Sequence, residues 1–360
     1  MLALGLMSGT SLDGVDAALV LTDGVSVERM GPATTVPYDD GLRDALRSVL
    51  GGVGDVAEVE RRLTLVHADV VKRFLDGAGV HRAEVDVIGF HGHTILHRPA
   101  ERRTWQIGDG ALLAETLGIP VVNDFRSDDV AAGGQGAPLV PVYHRALGAG
   151  VARPLAVLNL GGVGNVTWIG DDDALLAFDT GPGNALIDDW ALAHTGRPVD
   201  EHGALARMGA VDGKALGRFR AHPYFVARPP KSLDRDDFRS FAAGLVAGLS
   251  AADGAATLTA FTAAAVALAK AHFPKPAVRW LVCGGGRHNP QLMAALRQEL
   301  AAPVDPVEAV GWDGDALEAQ AFAYLAVRSL RGLPLTFPET TGGPAPSTGG
   351  RSHMPFGRVG

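Results

Sequence analysis

The 360-residue chain has a single cysteine, Cys283. Neither an internal disulfide framework nor an all-cysteine zinc site is therefore available. That usage fits a reducing compartment, and the cytoplasm is the expected location. Positive charge is not in excess either: 32 Lys+Arg against 40 Asp+Glu leave a net charge of −8. An acidic chain with no basic cluster repels a polyanion, so nucleic acid is not an expected partner. Long apolar runs are scarce. The alanine-rich stretch 260–269 falls well short of a bilayer span, and Met1–Met7 lacks a basic n-region, so no membrane partner or leader is expected. The sequence also lacks a G-x-x-x-x-G-K-[ST] loop and a G-x-G-x-x-G fingerprint, which excludes the two commonest phosphate-binding signatures.

What is present is glycine and apolar residue in quantity. Forty-seven glycines and a 47% hydrophobic content can supply two substantial cores and exclude wholesale disorder. Leu2–Leu6 and Asp16–Thr22 read as strands around the polar turn 8–14. Helical spacing follows at 41–50 and 56–78, with Leu63, Val66, Val70 and Phe74 on one face. A short strand at 85–90 ends at His91-Gly92, and 123–135 reads as a polar loop. The pattern then restarts: strand 155–160, a glycine turn, a return along 165–169, and a strand at 175–178. Helices are expected at 184–194, 238–246, 256–272 and 317–330, with a buried strand at 280–283. The fold class is α/β, with two halves that open alike. Boundaries are expected at 1–140 and 141–332, with the final helix packing back on the first domain, followed by a flexible tail over 333–360, Pro/Gly/Ser/Thr-rich from about Phe337.

The chemistry-bearing residues cluster at the turns. Gly9-Thr10-Ser11-Leu12-Asp13-Gly14 would expose backbone N–H groups and hydroxyl donors at a hairpin tip, a surface suited to phosphate oxygens. A plain β-turn is the commoner meaning of any one such run. Asn159-Leu160-Gly161-Gly162 repeats the character in the second half, and Gly284-Gly285-Gly286 follows a buried strand where a flat base or ribose can approach. The three together favour nucleotide binding. Asp179, in Asp179-Thr180-Gly181-Pro182-Gly183-Asn184, stands at the carboxyl end of a strand, where it could accept a proton from a nucleophile or simply form a turn. His91, His93 and His97 lack a carboxylate or thiolate at metal-ligand spacing and suit polar substrate contacts better. Gln106, Asp109, Asp124 and Arg126 mix donors and acceptors as a sugar site requires, and Arg126 suits a carboxylate. Glu318 is either a partly buried cleft carboxylate or an ordinary first-turn helix acid.

Jointly these segments resemble one family. The run Gly5–Asp16 is similar to the amino-terminal signature of the anhydro-N-acetylmuramic acid kinases, and further matches follow in order. They include His91-Gly92, Gln106–Asp109, Asp124-Phe125-Arg126, 131–141, Asn159–Gly162, Phe178–Asn184, Pro229–Ser232, Cys283–Gly286 and Glu318-Ala319, spanning about residues 2–332. The resemblance implies two ribonuclease-H-like domains around an ATP cleft, the sugar kinase/actin-like fold. It implies a Mg2+-assisted, ATP-dependent reaction in which water opens 1,6-anhydro-N-acetylmuramic acid while O6 is phosphorylated, giving N-acetylmuramic acid 6-phosphate in peptidoglycan recycling. Carried over by motif, Gly9, Thr10, Ser11, Leu12, Asp13, Gly14, Val15 and Asp16 bind ATP, with Asn159, Gly161 and Gly162 on the phosphates and Gly284, Gly285 and Gly286 at the adenosine. Asp179 is the catalytic base, and Arg126 and Glu318 match positions implicated in the sugar site, to which the polar character of His91, Gln106 and Asp124 assigns them as well. Asp13, Asp16 and Asp179 are the candidate metal contacts, and a homodimer is implied. Two departures stand out: His93 replaces a more usual Gln, and the run after Lys231-Ser232 differs from the usual pattern while Arg235 remains. The competing readings are a kinase of the same fold for another amino sugar, and a silent nucleotide or sugar sensor.

Overall fold

The computed structural model describes residues 1–9 and 11–356. Two units emerge, Met1–Ala149 with Ala316–Gly360, and Gly150–Asp315. In the first, β1 (Leu2–Ser8), β2 (Gly14–Thr22) and β3 (Val27–Pro37) form an antiparallel meander. Helices α1 (Asp40–Ser48) and α2 (Val56–Ala78) follow, capped by the carboxylates of Asp39 and Asp55. Then come β4 (Val87–Arg98), β5 (Arg103–Ile107), α3 (Gly110–Leu117), β6 (Val121–Asn123), α4 (Ser127–Ala132) and α5 (Pro141–Leu147).

The second unit repeats the plan. Strands β7 (Leu155–Leu160), β8 (Val163–Ile169) and β9 (Leu175–Pro182) make its meander. Helices α6 (Ala185–Thr195), α7 (Gly213–Arg220), α8 (Arg239–Val246) and α9 (Ala251–Ala269) precede β10 (Arg279–Cys283), α10 (Pro290–Glu299) and β11 (Val304–Pro306). The chain then re-enters the first unit through α11 (Leu317–Leu330), α12 (Pro338–Thr341) and β12 (Arg351–His353).

Both sheets share one topology. The second runs β11-β10-β7-β8-β9; the first runs β12-β6-β4-β1-β2-β3, with β5 added against β4. In each, the third and second strands of the meander lead antiparallel to the first, and two parallel strands continue beyond it. This is the ribonuclease-H-like arrangement, twice.

Helix α11 explains the return of the chain. It packs across β1 and β4 at Gly5 and Gly89, where an added Cβ would lie 1.7 Å from the Ala319 carbonyl oxygen and 1.9 Å from that of Phe322. In the second unit the small residues are on both partners: Gly181 of β9, where an added Cβ would lie 2.6 Å from Ala265 Cβ, and the alanines of α9. Ala263 and Val266 of α9 join the core of the sheet, while Phe261, Ala264 and Ala265 join a second cluster built from α6, α7 and α8. Helix α9 is thus apolar all round because it is enclosed by protein on both sides. It starts at Ala251, capped by Ser250, five residues before the expected start. Counted through His272 it is long and apolar enough to cross a bilayer by length and composition, which corrects the expectation of a short run; 67% of its apolar window is buried within the protein.

Three further expectations are corrected. The first boundary falls at Ala149/Gly150 rather than after 140, and the second unit ends at Asp315, while α11 joins the first unit as expected of the final helix. The tail over 333–360 is not a loose segment as far as it is described: Leu335, Thr336, Thr340 and Thr341 are buried, and β12 pairs antiparallel with β6. Docking there uses hydroxyls and backbone groups rather than an apolar stripe, so periodicity gives no signal of it. Finally β4 continues through His91, His93 and His97 to Arg98, with Gly92 at a positive φ of 71°, and β9 includes Asp179.

Candidate active site

In the first unit the hairpin between β1 and β2 closes with Leu12 N–H donating to the Gly9 carbonyl, 3.1 Å, and Leu12 in the left-handed region at φ 61°. Ser11 and Asp13 are exposed, whereas Leu12, Gly14 and Val15 are buried. Thr10 lies outside the described residues. Asp16 accepts from Thr35 Oγ1 at 2.6 Å.

Behind this hairpin, His91, Arg126 and Glu318 come together. His91 Nδ1 pairs with the Gly92 carbonyl at 2.8 Å, so Nδ1 carries the proton and Nε2 is left as an acceptor. Arg126 donates to that Nε2 from Nε and Nη2, 3.2 and 3.1 Å, and from Nη1 to the Gly136 carbonyl, 2.7 Å. Burial, then the Arg126 charge, hold His91 well below the usual imidazole range, so it stays neutral. Burial lowers Arg126 to about 10 while Glu318 and Asp129 oppose the shift; at neutral pH it remains a cation. Glu318 is solvent-accessible on the first turn of α11. Its pKa is raised first by restricted hydration, then by the Asp16 carboxylate, with Arg126 pulling the other way. The guanidinium keeps two of its five N–H donors unpartnered among the described residues.

Gln106 and Asp124 are not part of this group. They line a separate pocket of about 360 Å³ with Trp105, Asn123, Arg351 and His353. Asp124, at φ 54°, accepts from Ser127 Oγ and pairs with Arg351 Nε at 2.8 Å. Gln106 Nε2 donates to Thr104 and Thr94, and its buried Oε1 has no partner. The other two histidines are engaged elsewhere: His93 Nδ1 meets Ser8 Oγ at 2.9 Å, and His97 meets Thr104 Oγ1 at 3.0 Å.

In the second unit the glycine motifs converge on one point. The β7–β8 hairpin turns through Gly161-Gly162, whose carbonyls accept the Gly183, Asn184 and Ala185 N–H groups opening α6. Asn184 Nδ2 donates back to Leu160 at 2.9 Å. Gly284 sits at φ 73°, where a Cβ would lie 2.3 Å from Asn159 Oδ1, and a Cβ at Gly286 would meet Leu160 and Asn184 within 3 Å. Asn159, Gly161, Gly162, Gly284 and Gly286 are therefore neighbours, with Gly285 beside Asn184.

Asp179 lies on β9, opposite Asn165 of the hairpin's second strand. Its N–H donates to the Lys231 carbonyl, its carbonyl accepts from Tyr224 Oη at 2.6 Å, and its Oδ2 accepts the Leu233 N–H at 2.8 Å. Burial pushes the carboxyl up to about 7; the Leu233 hydrogen bond opposes that and the Asp234 charge adds to it. A carboxylate poised there exchanges a proton near neutrality, which is what a general base requires.

The whole chain has the same signature. Residues 1–354 match the family model for anhydro-N-acetylmuramic acid kinase. The chain belongs to the anhydro-N-acetylmuramic acid kinase family. The enzyme of that name from Paramagnetospirillum magneticum is 72% identical over 355 residues, covering 99% of this chain and 100% of its own. That from Rhodospirillum rubrum is 61% identical over 354 residues, covering 97% and 93%. Among solved structures, (R)-2-hydroxyglutaryl-CoA dehydratase component A of Acidaminococcus fermentans is a distant likeness, with TM-score 0.47, 13% identity, and coverage of 91% and 99%.

Several groups around the kinase's candidate residues escape sequence reading. Leu233 meets Asp179 through its backbone, which no residue pattern reports. Lys231 is recognisable within Pro229–Ser232, yet its setting is not. Its Nζ donates to the Tyr224 carbonyl at 2.9 Å, lies over the Tyr224 ring, and is lowered to about 8 by burial. Asp129, read as part of a polar loop, is buried under Thr336 and Thr341. One signal for that contact was present: Pro338 and Gly342 bracket a short helix in the usual order of proline at the start and glycine past the end.

Proposed function

We propose that this kinase opens 1,6-anhydro-N-acetylmuramic acid with water and phosphorylates the released O6 from ATP. The products are N-acetylmuramic acid 6-phosphate and ADP, and the step serves peptidoglycan recycling and amino-sugar catabolism in the cytoplasm, with the enzyme as a homodimer. Asp179 takes a proton from water as the water oxygen bonds to C1. The C1–O6 bond breaks, O6 accepts the γ-phosphoryl group, and ADP leaves with the electron pair of the broken P–O bond. The observation that carries this reading is the Asp179 carboxyl, pushed up to about 7 on the strand that pairs with the β7–β8 hairpin.

The remaining assignments follow the same chemistry. Backbone donors of the turn Gly9–Asp16 in the first unit, and of Asn159, Gly161 and Gly162 in the second, serve phosphate oxygens. Gly284, Gly285 and Gly286 leave space for the nucleoside. The two remaining Arg126 donors match the lactyl carboxylate of the sugar in a fork, and Glu318 accepts from sugar hydroxyls. Asp16 fits a Mg2+ ion accompanying ATP, because a divalent cation relieves its like-charge contact with Glu318 and would neutralise charge on the β- and γ-phosphates. The test is ADP release measured with anhydro-N-acetylmuramic acid, with N-acetylglucosamine and with no sugar. Release with the anhydro sugar alone is expected; equal release with N-acetylglucosamine, or release without sugar, contradicts the assignment.

A further inference from the structure

The carboxy-terminal segment makes its most buried polar contact at Asp129, one helical turn from Arg126. Asp129 is 2% exposed, Thr336 2% and Thr341 0%. Thr336 Oγ1 and Thr341 Oγ1 both donate to Asp129 Oδ1, at 2.6 and 2.8 Å. The other carboxylate oxygen, Oδ2, accepts the Gly136 N–H at 2.7 Å. Gly136 in turn presents its carbonyl to Arg126 Nη1. A continuous chain of hydrogen bonds therefore runs from the tail hydroxyls through Asp129 and Gly136 to the guanidinium.

The loop between them is held by two further backbone hydrogen bonds. The Gln135 N–H donates to the Thr341 carbonyl at 2.7 Å, and the Gly134 N–H to the Asp129 carbonyl at 2.8 Å. A Cβ at Gly134 would lie 2.2 Å from Asp129 Oδ2, so the carboxylate fills the space that a side chain would take. The Asp129 charge also acts on Arg126 directly, favouring its cationic form.

We infer that Thr336, Thr341 and Asp129 are positioning residues for Arg126, so that the carboxy-terminal segment sets the affinity of the enzyme for the carboxylate-bearing sugar. The inference rests on the assignment of Arg126 to the sugar. A carboxylate accepting two hydroxyl donors and a backbone N–H is held in one rotamer, and only that rotamer presents Gly136 to Arg126. Removing a donor leaves a buried anion under-satisfied, which lets it turn and carries Gly136 with it. Displacement of a substrate-holding group by even 1 Å costs as much as about a hundredfold.

The test compares Thr341→Val with Thr341→Ser in the full chain, with Thr336→Val as an independent second variant. KM for the anhydro sugar, KM for ATP, kcat and melting temperature are measured for each. Thr341→Val and Thr336→Val are expected to raise the sugar KM about tenfold, leaving the ATP KM within about twofold, and Thr341→Ser is expected to restore it. A lowered melting temperature with an unchanged sugar KM in both valine variants, assayed where each is folded, overturns the inference and assigns these contacts to stability alone. Arg126→Lys run in parallel separates the two claims. If it leaves the sugar KM unchanged, the assignment of Arg126 fails; if it raises the KM while the valine variants do not, only the positioning role fails.

Discussion

The two units of this kinase solve the same packing problem with different shares for strand and helix. Each lays a helix across a sheet of the same topology. In the first, the strands give way: Gly5 and Gly89 have no Cβ where the α11 backbone passes. In the second the accommodation is shared: Gly181 of β9 has no Cβ where one would lie 2.6 Å from Ala265 Cβ, and α9 presents Ala263 beside Val266 to the sheet core and Ala264 and Ala265 to the cluster behind. The difference matters because α11, set against the strands through Gly5 and Gly89, carries Glu318 on its first turn. The second unit places Asp179, the proposed base, on a strand, β9.

The comparison breaks most decisively at the two carboxylates. Asp179→Asn preserves volume and removes the proton acceptor, so turnover is expected to fall by about two to four decades with both KM values little changed. Glu318→Gln, a change in a group that binds rather than reacts, is expected to raise the sugar KM and cost turnover no more than about tenfold. A steady-state comparison of the two variants checks this; equal losses of turnover would erase the distinction drawn between the units.

Packing gives the next largest difference. Gly89→Ala forces a Cβ against the Phe322 carbonyl and is expected to destabilise by about 3 kcal/mol, the upper range for overpacking. Ala264→Gly on α9 has only a helix-propensity and small-cavity cost, about 1–2 kcal/mol. Thermal melts of the two variants read the ratio directly.

Much of this architecture is legible in the sequence, and the illegible parts share a cause. Helix α2 and helix α11 occupy the ranges that their periodicity predicts, 56–78 and 317–330. Both hairpins are announced by glycine between apolar runs. What periodicity misses is contact made without side chains or by hydroxyls. Gly5 and Gly89 read as ordinary members of apolar strands, since nothing in the local pattern says that a helix backbone arrives there. Thr336 and Thr341 read as loop polarity because Asp129 lies more than 200 residues away. Among the candidate site residues, the glycine motifs of the second unit converge as nearest neighbours. Gln106 and Asp124 line a pocket that includes neither His91 nor Arg126, which residue spacing alone does not reveal.

Titration supplies a smaller contrast. With Asp179 raised to about 7 in the folded enzyme against a reference of 3.8, the folded state binds more protons than the unfolded chain between those values. This carboxyl therefore subtracts stability progressively as pH rises from about 4 to 7 and not below. Asp179→Asn is expected to melt about 3 °C higher than the wild type at pH 8 and at nearly the same temperature at pH 4. The wild-type kcat/KM is expected to fall about tenfold per pH unit below 7. The smallest effect belongs to Arg351→Ala. Its ion pair with Asp124 lies at the surface, Arg351 being 64% exposed, so the loss is expected to stay under about 1 kcal/mol in a urea melt.

The central claim is that water attacks the sugar while the sugar oxygen attacks phosphorus. Running the wild-type reaction in water enriched in heavy oxygen, and analysing the products within the first turnovers by mass spectrometry, tests it most directly. One heavy oxygen is expected at C1 of the sugar phosphate and none in the transferred phosphoryl group. Label in the phosphoryl group or in free phosphate, or in neither position, would contradict it.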